Sequence, residues 1–357
     1  MLLIAAIAIL AVALAHDSAP TAALPLPPNA APMQAVVFHQ YGPPDVLKTE
    51  TVAKPAPAPD QLLIRVYDAA LNPLDWHRMR GSPYIGRLLF GVGAPKLERI
   101  GVDFSGTVEA VGTRVRGFKV GDAIFGIADG ALAQYVTSTE VGLALKPDNL
   151  SFEQAAAAPV AGVTALQALR NYAHVGPGQK VLVNGASGGV GTFAVQIARA
   201  FGADVTGVCS TRHLQLVRSL GASEVIDYTR EDFTRGNRRY DVILDAVGNR
   251  DLRDYDRILT PNGVVLLVGA GPSFEPWFGP VEGFVKARLM TPFLHHRFLT
   301  VSADANRTED LDTLRDLMQA GKVVPVIDRI FPLRDAPAAM RYLEQGHAGG
   351  KVVIAVE

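Results

Sequence analysis

Val181-Leu-Val-Asn-Gly-Ala-Ser-Gly-Gly-Val-Gly191 decides the fold, because a short valine-rich apolar run passes directly into a glycine-rich turn. Val181, Leu182 and Val183 suit a parallel strand covered on both faces. Beyond the turn, Val190, Phe193, Ala194, Ile197 and Ala198 recur at helical spacing, so one face of the next element is apolar and packs back on the sheet. A strand, turn and helix in this order aim backbone N–H groups and the positive end of a helix dipole at one spot, where a pyrophosphate fits. Gly188 is expected to let the backbone approach the phosphates, and Gly191 to let helix and strand pack closely. Ala186 stands where the first glycine of the usual fingerprint would be, with Gly185 just ahead of it.

The neighbouring sequence supplies the rest of a sheet. Ala203–Val208, Glu224–Tyr228, Tyr240–Val247, Gly263–Val268 and Arg297–Val301 read as further strands, most of them separated by helical patterns. That alternation predicts an α/β fold with a doubly wound parallel sheet of Rossmann type. At the end of the second strand, where a carboxylate would hold the ribose 2′-hydroxyl of NAD, stands Cys209, followed by Ser210, Thr211 and Arg212. Hydroxyls and a guanidinium there favour NADPH over NADH, since an Arg fork matches phosphate oxygens. The alternative is that Arg212 merely caps the exposed start of the next helix.

The chain has 357 residues, enough for two domains, with 48% apolar and 19% charged residues. A formal net charge of −1 offers no broad basic field, so nucleic acid is not an expected partner. Arg235, Arg238 and Arg239 read as a solvated turn. The single cysteine rules out an internal disulfide and any cysteine-cluster zinc site. Residues 1–15 are almost wholly apolar and 19–32 form a proline- and alanine-rich linker, yet no Lys or Arg precedes Lys48. Three readings of residues 1–32 stay open. Translation from Met33 is placed ahead of a signal peptide and of a weak anchor, with no stable membrane span and a cytoplasmic location expected unless the leader is genuine.

From Met33 to about Leu150 short strands are broken by Gly and Pro, as in Leu62–Val66, Ser105–Val111 and Ala123–Phe125, which is the rhythm of a small β-barrel-like unit. Val323–Ile327 and Lys351–Val356 return to that pattern. A barrel interrupted by a nucleotide-binding unit follows, with boundaries at 33–155, 156–305 and 306–357.

With Leu71-Asn-Pro-Leu-Asp75, Gly101-Val-Asp-Phe-Ser-Gly106, Val120-Gly-Asp122, Ala158-Pro-Val-Ala-Gly-Val-Thr164, the glycine turn and Gly349-Gly-Lys-Val-Val353 in this order, the chain resembles a medium-chain dehydrogenase/reductase, nearest the zinc-independent quinone oxidoreductase branch. The resemblance implies a GroES-like catalytic unit formed by both chain ends, a Rossmann unit between them, a homodimer, and a cleft where nicotinamide meets substrate. Where zinc alcohol dehydrogenases carry catalytic metal ligands, this chain aligns Asn72, Val102 and Val160. Two aliphatic side chains cannot bind zinc and an amide is a poor substitute for thiolate. No metal is therefore expected.

Without zinc, a quinone or an α,β-unsaturated carbonyl is the expected substrate, because the charge delocalises onto an oxygen that hydrogen bonds can stabilise. Asn72 is a candidate for orienting nicotinamide or substrate oxygen, Asp75 for the substrate side, and Thr164 resembles the family threonine beside the nicotinamide. Each has a plainer reading: Asn72 shapes the turn before Pro73, Asp75 caps a helix near Trp76, and Thr164 packs. The cofactor set is Gly185, Ala186, Ser187, Gly188, Gly189, Val190, Gly191, Ser210, Thr211, Arg212, Tyr228, Val247 and Gly269. His77 is expected on the surface, His295-His296 to lack carboxylate partners at ligand spacing, and His174, His213 and His347 to sit in loops or caps. Phe274, Trp277, Phe278, Val281, Phe284, Leu289, Met290, Phe293 and Leu294 form a greasy stretch that either packs in the core, joins subunits, roofs the site or touches membrane. An NADPH-dependent quinone or enone reductase is the leading function, against an alcohol or aldehyde dehydrogenase and a non-catalytic NADPH-binding protein.

Overall fold

The structure is a computed structural model that describes residues 10–20, 26–269 and 277–357. Strands β1 (Pro32–Val37) and β2 (Lys48–Ala53) pair as a two-stranded antiparallel ribbon. Next come β3 (Leu62–Ala70), the helix α1 (Pro73–Arg80), β4 (Asp103–Val111), β5 (Ala123–Ile127), β6 (Tyr135–Ser138) and β7 (Leu143–Leu145). These strands pair antiparallel around β3, whose side chains Leu62, Ile64 and Val66 are fully buried. Ser151 opens α2 (Phe152–Ala156) with a capping box, its hydroxyl accepting from Gln154 N while Gln154 Oε1 accepts from Ser151 N.

The glycine turn then leads the parallel half. Helix α3 (Pro159–Gln167) precedes β8 (Lys180–Asn184), α4 (Gly189–Ala200), β9 (Asp204–Cys209), α5 (Leu214–Ser219), β10 (Glu224–Asp227), β11 (Tyr240–Asp245), α6 (Leu252–Arg257), β12 (Leu259–Leu267), α7 (Pro280–Met290) and β13 (Arg297–Thr300). The six strands form a parallel sheet in the order β10-β9-β8-β11-β12-β13, the doubly wound order that puts a crevice beside β8. Valines 181 and 183 face one apolar core with Phe193 and Ile197 of α4, while Leu182 faces a second with Ile243 and Tyr255. The continuous apolar run is thus read correctly as a strand covered on both faces.

The chain end supplies α8 (Thr308–Gln319), β14 (Ile327–Pro332), α9 (Ala336–Glu344) and β15 (Lys351–Ala355). Strand β15 pairs with β3, so both chain ends build the first sheet. Leu311, Leu314 and Met318 of α8 instead enter the core containing α3 and α4. The expected strand at Val323–Ile327 begins only at Ile327: Pro325 removes a ladder donor, and Gln196 satisfies Val324, its Oε1 accepting from Val324 N at 2.8 Å and its Nε2 donating to Val324 O at 3.0 Å.

Two other expectations need correcting. His77 is half-buried, stacked on Trp76 with ring centroids 3.7 Å apart and Nδ1 2.7 Å from Ser82 O, and burial lowers its pKa. His295 and His296 do have a carboxylate partner, both Nδ1 atoms lying within 2.9 Å of Asp256, a residue forty positions earlier that sequence spacing could not pair. Of the greasy stretch, Phe274 lies outside the described residues. Phe284, Met290 and Leu294 pack on the core, whereas Trp277, Phe278, Val281, Leu289 and Phe293 are exposed.

Asp68 sits inside the first sheet, opposite Ser105 of β4 and Ala355 of β15, and burial, helped by Glu153, pushes its carboxyl up to about 7. The unfolded carboxyl titrates near ~3.9, so ionisation weakens the fold progressively from about pH 4 to about pH 7 and fully above. Asp68→Asn is expected to raise Tm by several degrees at pH 8 and to leave it unchanged at pH 4, read by thermal melts at the two pH values; equal shifts at both would contradict this.

Candidate active site

The glycine turn is shaped by contacts that only glycine permits. Gly185 has φ +83°, and a Cβ at Gly191 would lie 2.0 Å from Gly185 O, so helix and turn touch backbone to backbone. A Cβ at Gly188 would meet nothing nearer than 3.5 Å, and Gly188 is the N-cap of α4. Ser187, Gly188, Gly189 and Val190 are partly exposed, whereas Ala186 is buried with its N–H bonded to Val208 O. The open rim of N–H groups at the start of a helix with no acidic residue in its first turn fits a pyrophosphate.

Asp245 braces the far side of the turn. Its Oδ1 accepts from Asn184 Nδ2 at 2.9 Å, Val247 N at 3.0 Å and Gly248 N at 2.9 Å, and its backbone oxygen accepts from Gly269 N. A Cβ at Gly269 would come within 2.4 Å of Ala246, so the ends of β11 and β12 approach closely beside Gly185. Burial raises the Asp245 pKa against these hydrogen bonds.

Facing the turn is a buried charge cluster. Lys351 Nζ donates to Asn72 Oδ1 at 2.6 Å and to Asp103 Oδ2 at 3.0 Å, and Asn72 Nδ2 donates to that same carboxylate oxygen at 2.9 Å. Val160 N donates to Asp103 Oδ1 at 3.0 Å. All three polar side chains are buried. A Cβ at Gly189 would lie 3.2 Å from Lys351 Cδ, so the lysine stem rests against the glycine turn while its ammonium holds Asn72. Asp103 thus joins Asn72 to the backbone of Val160, and the charges among these residues are the Lys351 ammonium and the Asp103 carboxylate.

These contacts revise two assignments. The carbonyl of Asn72 is taken by Lys351 and one of its N–H groups by Asp103, leaving one N–H for any ligand. Asp75 is fully buried and caps α1, its Oδ2 accepting from Asn72 N at 2.7 Å; burial lifts its carboxyl to about 6. Its oxygens are turned into the protein, so the capping role is the one its placement supports and a substrate contact is not. Thr164 donates to Val160 O at 2.7 Å, and these two are the half-exposed residues of the otherwise buried α3 interior, one turn apart on one side. Asp103 and Lys351 were not singled out from sequence, although each is a lone charge at the mouth of an apolar strand, Val102-Asp-Phe and Lys351-Val-Val-Ile.

The adenosine end holds another residue missed in sequence. Asp227 lies opposite Cys209 in the β9–β10 register, and Thr211 donates to its Oδ2 while Thr229 donates to Oδ1 at 2.7 Å. The Thr211 bond holds the Asp227 carboxyl below its usual range. A carboxylate is therefore present near the expected phosphate subsite, contrary to the sequence reading, because strand order brings it there from eighteen residues away. Arg212 donates to His347 O, and His213 Nδ1 lies 3.0 Å from Ser187 Oγ, with its pKa lowered by burial and by Arg212. Tyr228 is exposed at the end of β10, and Cys209 is buried with its thiol pushed up to about 11 by desolvation.

Comparison with known proteins matches this architecture. The zinc-binding dehydrogenase family matches residues 220–354 and the alcohol dehydrogenase GroES-like domain matches residues 58–148. The chain is 37% identical over 337 residues to a 2-methylene-furan-3-one reductase of Solanum lycopersicum, covering 90% of this chain and 79% of that protein. Among solved structures, the quinone oxidoreductase of Coxiella burnetii superposes with TM-score 0.78 at 33% identity, covering 92% of this chain and 100% of that one. The Escherichia coli quinone oxidoreductase complexed with NADPH superposes with TM-score 0.76 at 25% identity, covering 90% and 100%. A parallel sheet carrying the glycine turn, a second sheet closed by both chain ends and this likeness along nine-tenths of the sequence place the chain in the medium-chain dehydrogenase/reductase superfamily, among quinone oxidoreductase-like members.

Proposed function

We propose that this protein is an NADPH-dependent reductase of quinones or α,β-unsaturated carbonyls that works without zinc. The observation that carries it is the cluster of Asn72, Asp103 and Lys351 against the glycine turn: Asn72, which aligns with a metal-ligand position of the zinc alcohol dehydrogenases, is bonded instead to a lysine–aspartate ion pair. Relatives named for quinone and furanone reduction support the substrate class. When bound, the nicotinamide cofactor supplies a hydride. The N–H groups of Gly189 and Val190 hold its pyrophosphate, with the Lys351 stem packed beside Gly189. Thr164 and the remaining Asn72 N–H line the nicotinamide side, with the half-exposed Val160 one turn before Thr164. Val247 and Gly269 shape the wall opposite.

NADPH is preferred over NADH in this reading because Ser210, Arg212 and Tyr228 surround the end of β9 and one neighbour's structure holds NADPH. Asp227 opposes that preference, and Thr211, Thr229 and Arg230, the last 3.5 Å away, shield its charge. A second copy is placed against the edge strand β13, beside the exposed Leu289 and Phe293, since an open edge flanked by apolar side chains favours pairing.

Oxidation of NADPH followed with a quinone, an enone and an aldehyde, with and without chelator, is expected to show quinone or enone turnover indifferent to chelation. Loss of activity on chelation, or turnover of the aldehyde alone, would refute the zinc-free reading. Arg212→Asp is expected to raise KM for NADPH about tenfold or more over its effect on NADH, and Asp227→Asn to move the ratio the other way, each change being worth roughly 1–2 kcal/mol of charge interaction. Lys351→Met leaves Asp103 buried without its cation and is expected to destabilise the fold by about 3–5 kcal/mol in urea unfolding, with much of this restored in Lys351→Met/Asp103→Asn. Additive losses in the double variant would show that the two side chains are not coupled.

A further inference from the structure

His213 joins three parts of the cleft that lie far apart in sequence. It closes the short turn Thr211–His213 after β9, and its ring reaches back to the glycine turn, with Nδ1 3.0 Å from Ser187 Oγ. On its other side the ring meets the C-terminal loop. A Cβ at Gly349 would lie 2.8 Å from His213 Nε2 and 3.3 Å from Asp328 Oδ1, so the bare backbone at Gly349 is what admits the imidazole, with the Asp328 carboxylate on its Nε2 side. Tyr342 donates to the other oxygen of Asp328 at 2.5 Å, and the Arg329 guanidinium lies 4.3 Å from the Tyr342 ring centroid.

Burial and the charges around this ring set its protonation. Burial disfavours the protonated form most, Arg212 and His347 add to that, and Asp328 opposes them, so the ring is held below the ordinary histidine range. A carboxylate on the Nε2 side favours the neutral tautomer with its proton there. Nδ1 is then a bare acceptor, and the Ser187 hydroxyl donates to it. In that state Ser187 has only lone pairs to present to a phosphate. When the ring carries both protons, Nδ1–H donates to Ser187 Oγ instead, and the hydroxyl proton is released for another acceptor. Ser187 is partly exposed and immediately precedes Gly188, the N-cap of α4, so its hydroxyl stands at the rim of N–H groups that fits a pyrophosphate.

We propose that His213 is a cofactor-positioning residue: the phosphates of the dinucleotide bind with uptake of a proton by its ring, which turns the Ser187 hydroxyl from the imidazole to a phosphate oxygen. The assignment rests on the reading of this cleft as an NAD(P)H site. The proton comes from solvent and ends on His213 Nδ1, and no covalent bond of the cofactor is made or broken. An anion beside both Arg212 and His213 offsets the repulsion that disfavours the second cation in the free protein. Because Ser187 and His213 belong to the parallel-sheet half while Asp328 and Gly349 come from the C-terminal part, the charged ring also ties the two halves together when cofactor is bound.

Calorimetric titration of the full-length protein with NADP+ and with NAD+ at pH 7, in two buffers of different ionisation enthalpy, is expected to show net proton uptake. Uptake with both nucleotides places the released hydroxyl at the pyrophosphate they share, and uptake with NADP+ alone places it at the 2′-phosphate; either supports the proposal. One coupled proton changes affinity by up to about tenfold per pH unit, so Kd for NADP+ is expected to rise roughly tenfold from pH 6.5 to pH 8, a window above the ionisation of a phosphate monoester near ~6. His213→Gln, a neutral side chain that still reaches Ser187, is expected to abolish both the uptake and the pH slope. Ser187→Ala is expected to weaken NADP+ more at pH 6.5 than at pH 8, because only the protonated ring releases the hydroxyl. Binding without proton uptake overturns the proposal and leaves the cofactor reading standing. Uptake that persists in His213→Gln and disappears in His347→Gln also overturns it, by assigning the proton to His347. Failure of both nucleotides to bind would overturn the cofactor reading and this role of His213 with it.

Discussion

The buried ammonium of Lys351 is the constraint on which the cleft depends. A charge removed from water is tolerated only when its hydrogen-bonding capacity is met, and here the partners come from distant parts of the chain: Asn72 and Asp103 lie 279 and 248 residues away in sequence. Each partner is in turn fixed by a separate element. Asn72 is the N-cap of α1, Asp103 begins β4, and Lys351 begins β15. The cluster therefore forms only when the last strand has paired with β3, and it then holds the first sheet against the glycine turn through the contact of the Lys351 stem with Gly189. Stability of the first sheet and competence of the cofactor site are physically one requirement.

The same economy of contacts explains the glycine turn. Gly191 is needed because the backbone of Gly185 occupies the space of a side chain, and Gly269 because the ends of β11 and β12 close on Ala246. Neither glycine is there for flexibility. Asp245 ties the end of β8 to the turn after β11, its Oδ1 accepting from Asn184, Val247 and Gly248 at or below 3.0 Å, while its backbone oxygen accepts from Gly269 N after β12. Helix α3 contributes only its Val160 and Thr164 side to that crevice, its other side chains being buried in the shared core.

What could be read from the sequence follows from how local the signal is. The six parallel strands are legible because each carries a short β-branched or apolar stretch and most are separated by helical patterns, and Gly185, Gly188 and Gly191 are legible because their spacing is fixed by one turn. Asp103, Lys351 and Asp227 sit at strand ends as single charges, and their meaning depends on which strand lies alongside, which only the sheet order supplies. Asp256 and the His295-His296 pair failed for that same reason, as did the strand expected at Val323, where Pro325 and the Gln196 side chain override an apolar run. Asn72 and Asp75 were found by their place beside Pro73, yet their side chains turned out to be bound inward, because a burial that deep is not encoded in any short motif.

Selection of the cofactor's adenosine end illustrates how two opposite charges can share one subsite. Thr211 was expected to donate to a phosphate, but its hydroxyl proton is committed to Asp227, so it can now offer that phosphate only lone pairs. Arg212 likewise donates to His347 O, which ties the subsite to the loop ahead of Lys351. A phosphate arriving there would draw Arg212 away from His347 and meet a carboxylate already satisfied by Thr211 and Thr229. Arg212 has N–H groups besides the one bonded to His347 O, while the Asp227 carboxylate accepts from Thr211 and Thr229, so the subsite sets a guanidinium and a hydrogen-bonded carboxylate side by side at the end of β9.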